Sequence, residues 1–299
     1  CGSGLGHGKG DEYPGIAHLH VEPGSFGWGS AIPQASATDG EKRCRNEKRM
    51  TDFSECSFIM KWVYFLLDLS VTLVLWSYYT LGFVLFFAPF YLLATIFSKN
   101  RQAAFQKLNH IFYKGFFGIT KRLIPACRWQ IPKEVREIRS SVIVCNHRSY
   151  IDPILLISIY ARHTTIAKAR LFQIPVFGAM LRLSGYIPSE AGGRFAEMMM
   201  GLMEGMEGFL ASGGNVFIFP EGTRSRDGRI GNLNKGAFKI ARICNAPVVV
   251  LFIKNTDKLF PPGKFLFNAR RANTVSVTKV LEIKPDYQSD QFSINGLMA

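Results

Sequence analysis

Between Phe58 and Phe97 the chain runs for about 40 residues with only two charges, Lys61 near its start and Asp68. One helix of that length would extend about 60 Å, twice the thickness of a bilayer's hydrocarbon core. The run lacks a polar face, so it fits a membrane segment better than a buried helix pair of a soluble protein. The sequence therefore predicts two helices, with a break near Tyr79-Thr-Leu-Gly82, forming a membrane-embedded helical hairpin over residues 57–98. Basic residues flank it: Lys42, Arg43, Arg45, Lys48 and Arg49 before, Lys99, Arg101, Lys107 and Lys114 after. Such flanks keep both ends on the cytoplasmic side. Asp68 is expected at a helix–helix contact.

The net charge of +14 is unevenly placed. Residues 1–97 hold 7 Lys/Arg against 9 Asp/Glu, and residues 98–299 hold 29 against 13. The basic surface thus belongs to the C-terminal part. Its candidate partners are nucleic acid, an anionic membrane face or a phosphorylated small molecule. No interleaved aromatic and basic signature is present, which argues against nucleic acid. The 6 cysteines show no CxxC spacing, which points to a reduced compartment and to no metal site. Residues 1–56, rich in Gly, Pro, Ser and charge, are expected to be disordered, with Met50 a candidate natural start. A lipid on Cys1 is a minor option, since no signal segment accompanies it.

Residues 101–125 interleave Lys and Arg with Ala103, Phe105, Leu108, Ile111, Phe112 and Phe116. That pattern suits a helix lying in the membrane interface and an ordinary domain helix equally. From Arg128 onward, short β-branched runs alternate with helical ones. Strands are predicted at Val142–Cys145, Thr165–Lys168, Tyr186–Pro188, Val216–Phe219, Val248–Ile253 and Val275–Ile283. Helices are predicted at Pro153–Ala161, Pro175–Leu183, Arg194–Leu210 and Lys235–Cys244, with Gly213 and Gly214 closing the third. The fold class is α/β, a mainly parallel sheet flanked by helices and preceded by the membrane hairpin.

The chemistry concentrates at two loops. The run Val142-Ile-Val-Cys-Asn-His-Arg-Ser-Tyr-Ile-Asp-Pro153 carries a histidine just past a strand and a carboxylate where the next helix begins. Across such a bend Asp152 can accept the Nδ1 proton of His147 and leave Nε2 free as a base. Asp152 before Pro153 also makes a good N-cap, and Ser149-Tyr-Ile-Asp152 fits a capping box. The spacing leaves both readings open. Cys145 is a minor candidate for a thiol nucleophile, since apolar surroundings raise a thiol's pKa. Ser149 lacks the G-x-S-x-G elbow of a serine nucleophile.

The second loop follows another strand, in Asn215-Val-Phe-Ile-Phe-Pro-Glu-Gly-Thr-Arg-Ser225. Gly222 permits close backbone approach, Thr223 and Ser225 bring hydroxyls, and Arg224 brings a planar fork suited to phosphate. Parallel strands place both loops on one sheet edge. A base beside an anion clamp suits a phosphorylated substrate whose hydroxyl is deprotonated. The competing reading is a glycine turn with solvated arginines.

Asn146-His147-x4-Asp152 together with Phe219-Pro-Glu-Gly-Thr-Arg-Ser225 resembles the glycerolipid acyltransferase family. Lys168-Ala-Arg-Leu-Phe-Gln-Ile-Pro-Val-Phe-Gly178 and Ala246-Pro-Val-Val-Val250 are similar to two further segments of that family. The resemblance covers roughly residues 100–285. It implies an acyltransferase domain over 99–285 and a C-terminal tail over 286–299. It implies acyl transfer from acyl-CoA or acyl-carrier protein to the sn-2 hydroxyl of lysophosphatidic acid, giving phosphatidic acid, with no acyl-enzyme and no cofactor or metal. His147 would be the base and Asp152 its orienting partner. Glu221, Gly222, Thr223 and Arg224 would bind the acceptor, Arg224 its phosphate. Lys168, a weaker phosphate candidate, is read as a surface lysine. Gly185-Tyr-Ile-Pro-Ser-Glu190 departs from the family at Pro188 and Ser189, with Arg194 displaced later. That leaves glycerol-3-phosphate or another lysophospholipid as the alternative acceptor. A non-catalytic membrane-tethered module binding anionic lipid is the alternative outside enzymes.

Overall fold

The computed structural model describes residues 58–189, 196–224, 233–289 and 292–298. The expected disordered segment, Arg194 and Ser225 lie outside them. The 40 residues Phe58–Phe97 form one helix, α1, long and apolar enough to cross a membrane. The hairpin predicted inside this run is therefore corrected. Where a break was expected, the helix continues as a π-helical stretch, Tyr78–Phe87. Pro89, which lacks an N–H, sits in the first turn of the α-helical stretch that follows, Ala88–Phe97. The widened turns before it accommodate the missing donor. The reversal comes instead at residues 98–100, after which α2, Arg101–Leu123, runs back along the second half of α1. Tyr91 packs edge-on against Phe105, Phe87 packs against Phe112, and the Tyr78 hydroxyl donates to the Phe112 carbonyl. Phe105, Phe112, Phe116 and Phe117 of α2 are buried, so it is a domain helix.

The remaining elements are β1 Cys127–Gln130, α3 Lys133–Arg136, β2 Val142–Cys145, α4 Ile151–Ile159, β3 His163–Ala167, α5 Phe177–Leu183 and β4 Ile187–Pro188. They continue with α6 Ala196–Glu204, α7 Met206–Ala211, β5 Asn215–Ile218, α8 Gly236–Ile243, β6 Val248–Lys254, α9 Thr256–Leu259, β7 Asn273–Ile283 and α10 Ile294–Met298. The strands make one 7-stranded sheet in the order β1-β7-β6-β2-β5-β3-β4. Among the described residues only β6 and β7 pair antiparallel. β1 was not anticipated: Cys-Arg-Trp-Gln is short and buries chiefly Cys127. It is held by pairing with β7, a contact remote in sequence. Pro188 sits in the two-residue edge strand β4, where a missing donor is tolerated.

The sheet is covered on both faces. Ile143 and Cys145 of β2 join a core with Val71 and Leu75 of α1, Phe116 of α2 and Leu155 of α4. Val142 and Val144 join a second core with Met206, Leu210 and Phe238. That two-sided burial is what a β-branched run without polar alternation requires. Tyr287, in the segment read as a tail, is buried in the second core and donates to the Ala246 carbonyl.

α1 docks through residues spaced one turn apart. Asp68 accepts the Ala269 N–H at 2.9 Å and lies 3.4 Å from Arg270 Nε. Thr72 accepts the Phe267 N–H, and Trp76 stacks on Phe265. Asp68 thus meets a loop rather than another helix. A desolvated carboxylate needs donors, and backbone N–H groups plus a guanidinium supply them. The opposite face, including Leu73, Val74, Leu81, Val84 and Leu85, is exposed.

Two predictions follow from this packing. A Cβ at Gly178 would stand 2.2 Å from the Phe172 carbonyl oxygen, whereas at Gly201, inside α6, it meets nothing within 4 Å. Gly178→Ala should destabilise by about 2 kcal/mol and Gly201→Ala should stabilise by about 0.5 kcal/mol in chemical denaturation. Equal midpoints for the two variants would contradict the packing.

His163 is fully buried. Its Nδ1 donates to the Tyr160 carbonyl at 2.8 Å, so Nε2 accepts the Tyr186 hydroxyl at 2.7 Å. Asn109 of α2 donates to Ser184 Oγ and to Tyr186 Oη, and it accepts from the Tyr91 hydroxyl. Burial lowers the His163 pKa to about 3. The unfolded chain takes up a proton near the ordinary value that the folded chain refuses. Stability is then full above about pH 6.5 and falls by about 1.4 kcal/mol per pH unit below it. Denaturation from about pH 6 to about pH 4 should show that slope. His163→Gln should lose most of it, and parallel slopes would exclude His163 as the source.

Candidate active site

β2 and β5 are parallel neighbours, with Val144 opposite Ile218, so the loops after them leave the same sheet edge. The first loop is organised by a single oxygen. Asp152 Oδ2 lies 3.0 Å from His147 Nδ1, 2.6 Å from the Arg148 N and 2.7 Å from the Ser149 N. A carboxylate oxygen only accepts, so the imidazole carries its proton on Nδ1 and its Nε2 is a free lone pair. Asp152 is fully buried, while the His147 side chain keeps 16% of its surface. The carboxylate is sealed and the imidazole is reachable.

The two readings left open by the spacing are thus joined in one atom. α4 begins at Ile151, with Tyr150 before it making no side-chain cap. Asp152 in the first turn reaches back to the Ser149 N–H, which is the carboxylate half of a capping box. The Ser149 hydroxyl, the expected other half, donates to the Phe260 carbonyl instead.

Several residues given no role in the sequence analysis fix this loop. Asn146 pairs with Ile253 through both amide atoms, at 2.9 and 2.7 Å, extending the β2–β6 contact by one residue. Arg148 forms an ion pair with Asp257 at 3.1 Å. Phe219, at the end of β5, stacks on the His147 ring with centroids 4.4 Å apart. Asn146 and Phe219 lie within the motifs that carry the resemblance and could have been singled out in advance. Asp257 and Phe260 lie more than 100 residues away.

The second loop meets the first. Glu221, expected on the acceptor, accepts the His147 backbone N–H at 3.0 Å through Oε1 and so locks the two loops together. Gly222 has a positive φ of 65°, and a Cβ there would meet nothing, so conformation rather than crowding calls for glycine. Thr223 is exposed beside it. Arg224 lies over the Tyr150 ring with its guanidinium carbon 3.2 Å from the ring centre. Its Nη1 is buried with no hydrogen-bond partner among the described residues.

The minor candidates separate cleanly. Cys145 is 2% exposed, and burial pushes its thiol well above the ordinary range, so it is no nucleophile at neutral pH. Lys168 is an exposed surface lysine. No group of three or more His, Cys, Asp or Glu among the described residues is arranged to hold a metal ion.

A buried carboxylate orienting an accessible imidazole, with an arginine delivered from the next strand, is chemistry for deprotonating a hydroxyl near an anion. Residues 127–254, from β1 to the end of β6, match the acyltransferase family. This region resembles an acyltransferase domain. The chain is 38% identical over 122 residues to a chloroplastic 1-acyl-sn-glycerol-3-phosphate acyltransferase of Brassica napus, covering 41% of this chain and 35% of that protein. It is 37% identical over 123 residues to a chloroplastic enzyme of the same name from Arabidopsis thaliana, covering 41% and 34%. The chain thus spans about a third of the length of these two curated relatives. The crystal structure of the 1-acyl-sn-glycerophosphate acyltransferase PlsC from Thermotoga maritima superposes with a TM-score of 0.57 at 21% identity, covering 77% of this chain and 92% of that one. This chain shares its fold. Where the domain departs from the family pattern, Tyr186 hydrogen-bonds to His163 inside the core and Ser189 caps the β3–β4 edge through Ala167 and Ala169.

Proposed function

We propose that the protein is a membrane-bound 1-acylglycerol-3-phosphate acyltransferase, moving a fatty acyl group to the sn-2 hydroxyl of lysophosphatidic acid to give phosphatidic acid. The observation that carries this reading is the Asp152–His147 pair on the sheet edge where Arg224 also arrives. His147 Nε2 takes the proton of the acceptor hydroxyl as its oxygen attacks the thioester carbonyl of acyl-CoA or acyl-carrier protein. The tetrahedral adduct collapses with loss of the thiolate, which recovers that proton from the imidazolium. Asp152 holds the ring in the competent tautomer and offsets the imidazolium's charge. Arg224 binds the acceptor phosphate, with Thr223 and the Gly222 backbone beside it. Glu221 holds the His147 loop against the Arg224 loop. No acyl-enzyme is needed, in keeping with the buried thiol of Cys145.

The exposed apolar face of α1 supports membrane attachment, and both substrates carry lipid chains. Attachment raises their effective concentration without new contacts. The basic residues that follow α1, Lys99, Arg101, Lys107 and Lys114, support a reading in which the acyltransferase domain faces the cytoplasm.

Release of the thiol from acyl-CoA in the presence of lysophosphatidic acid, by purified protein, tests the assignment. His147→Ala should lower kcat by at least about 100-fold while the protein stays folded and membrane-bound. Near wild-type turnover would end the proposal. Arg224→Ala should raise KM for lysophosphatidic acid by about tenfold, with a smaller effect on kcat. An unchanged KM would remove its role at the phosphate.

A further inference from the structure

We propose that Tyr150 is a positioning residue for the acceptor: its ring holds the Arg224 guanidinium in the plane and place from which it meets the phosphate. This rests on the reading of Arg224 as the phosphate ligand.

Tyr150 lies between His147 and Asp152 and has no side-chain hydrogen bond to either. It is 55% exposed. What it touches is Arg224 on its face and, at 6.4 Å, Phe260. Arg224 has no ion pair among the described residues, so the π face of Tyr150 is the one electron-rich surface found against its cation. A guanidinium stacked on a ring keeps its N–H edge free for a planar bidentate contact, whereas one paired to a carboxylate would spend that edge. Nη1, buried and unpartnered, is a donor that an arriving phosphate oxygen satisfies.

The arrangement also ties the two halves of the site together. Tyr150 immediately precedes α4, whose first turn carries Asp152. A single short segment therefore sets the tautomer of the base and the orientation of the anion clamp. That fixes the distance between the phosphate and the hydroxyl on which the base acts.

The test is steady-state kinetics of purified full-length Tyr150→Leu, Tyr150→Phe, Arg224→Ala and the Tyr150→Leu/Arg224→Ala double variant. Lysophosphatidic acid is varied at saturating acyl-CoA. Leucine keeps an apolar contact with Phe260 and removes the π face, while phenylalanine keeps it. Tyr150→Leu should raise KM about fivefold with kcat within about twofold, and Tyr150→Phe should restore wild-type KM within about twofold. In the Arg224→Ala background, Tyr150→Leu should have no further effect on KM. If Arg224→Ala raises KM but Tyr150→Leu does not, or if the two effects multiply, the positioning role is wrong and the phosphate role of Arg224 stands. If Arg224→Ala itself leaves KM unchanged, both fall together.

Discussion

One carboxylate oxygen underlies this site. Asp152 Oδ2 gathers the imidazole N–H of His147 and the backbone N–H groups of Arg148 and Ser149. Three donors converging on Oδ2 offset much of the cost of burying the charge, while Oδ1 is buried with no hydrogen-bond partner among the described residues. The same contacts turn the chain from the end of β2 into α4 and fix which ring nitrogen carries the proton. Folding of the loop and orientation of the imidazole are therefore one event. A base that depended on a separate, mobile partner would need that geometry to form anew at each turnover.

Around this oxygen the fold supplies anchors from every neighbouring element. Asn146 clips the loop to Ile253 of β6, Glu221 clips it to the loop after β5, and Phe219 packs on the ring. Ser149 and Arg148 reach Phe260 and Asp257. Phe260 stacks in turn on Phe267, whose N–H is taken by Thr72 of α1. A chain of packed contacts thus runs from the apolar helix to the loop that carries the base. The apolar helix and the His147 loop are not separate modules joined by a linker.

How much of this was legible depended on the range of the interactions. β2 and β6 were readable because Val142–Cys145 and Val248–Ile253 are largely buried β-branched runs, which sequence pattern alone announces. His147 and Asp152 were readable because five residues across a bend is a local relation. The role of Glu221 was not, since its partner is a backbone N–H 74 residues away. β1 escaped because Cys-Arg-Trp-Gln has no pattern of its own and is defined by pairing with β7. The single helix α1 escaped for a different reason. Hydropathy measures length against a bilayer but is blind to the turn at residues 98–100 and to the stripe of Asp68, Thr72 and Trp76 that faces the domain.

The direct measurement is the ¹⁵N spectrum of the His147 ring in histidine-labelled protein, assigned by its absence in His147→Ala, under conditions where the ring is neutral. Proton on Nδ1 and a bare Nε2 is the predicted tautomer, lost when Asp152 is replaced by asparagine. A neutral ring protonated on Nε2 in the wild-type protein would mean that Asp152 does not set the base, and the account of this site would fail.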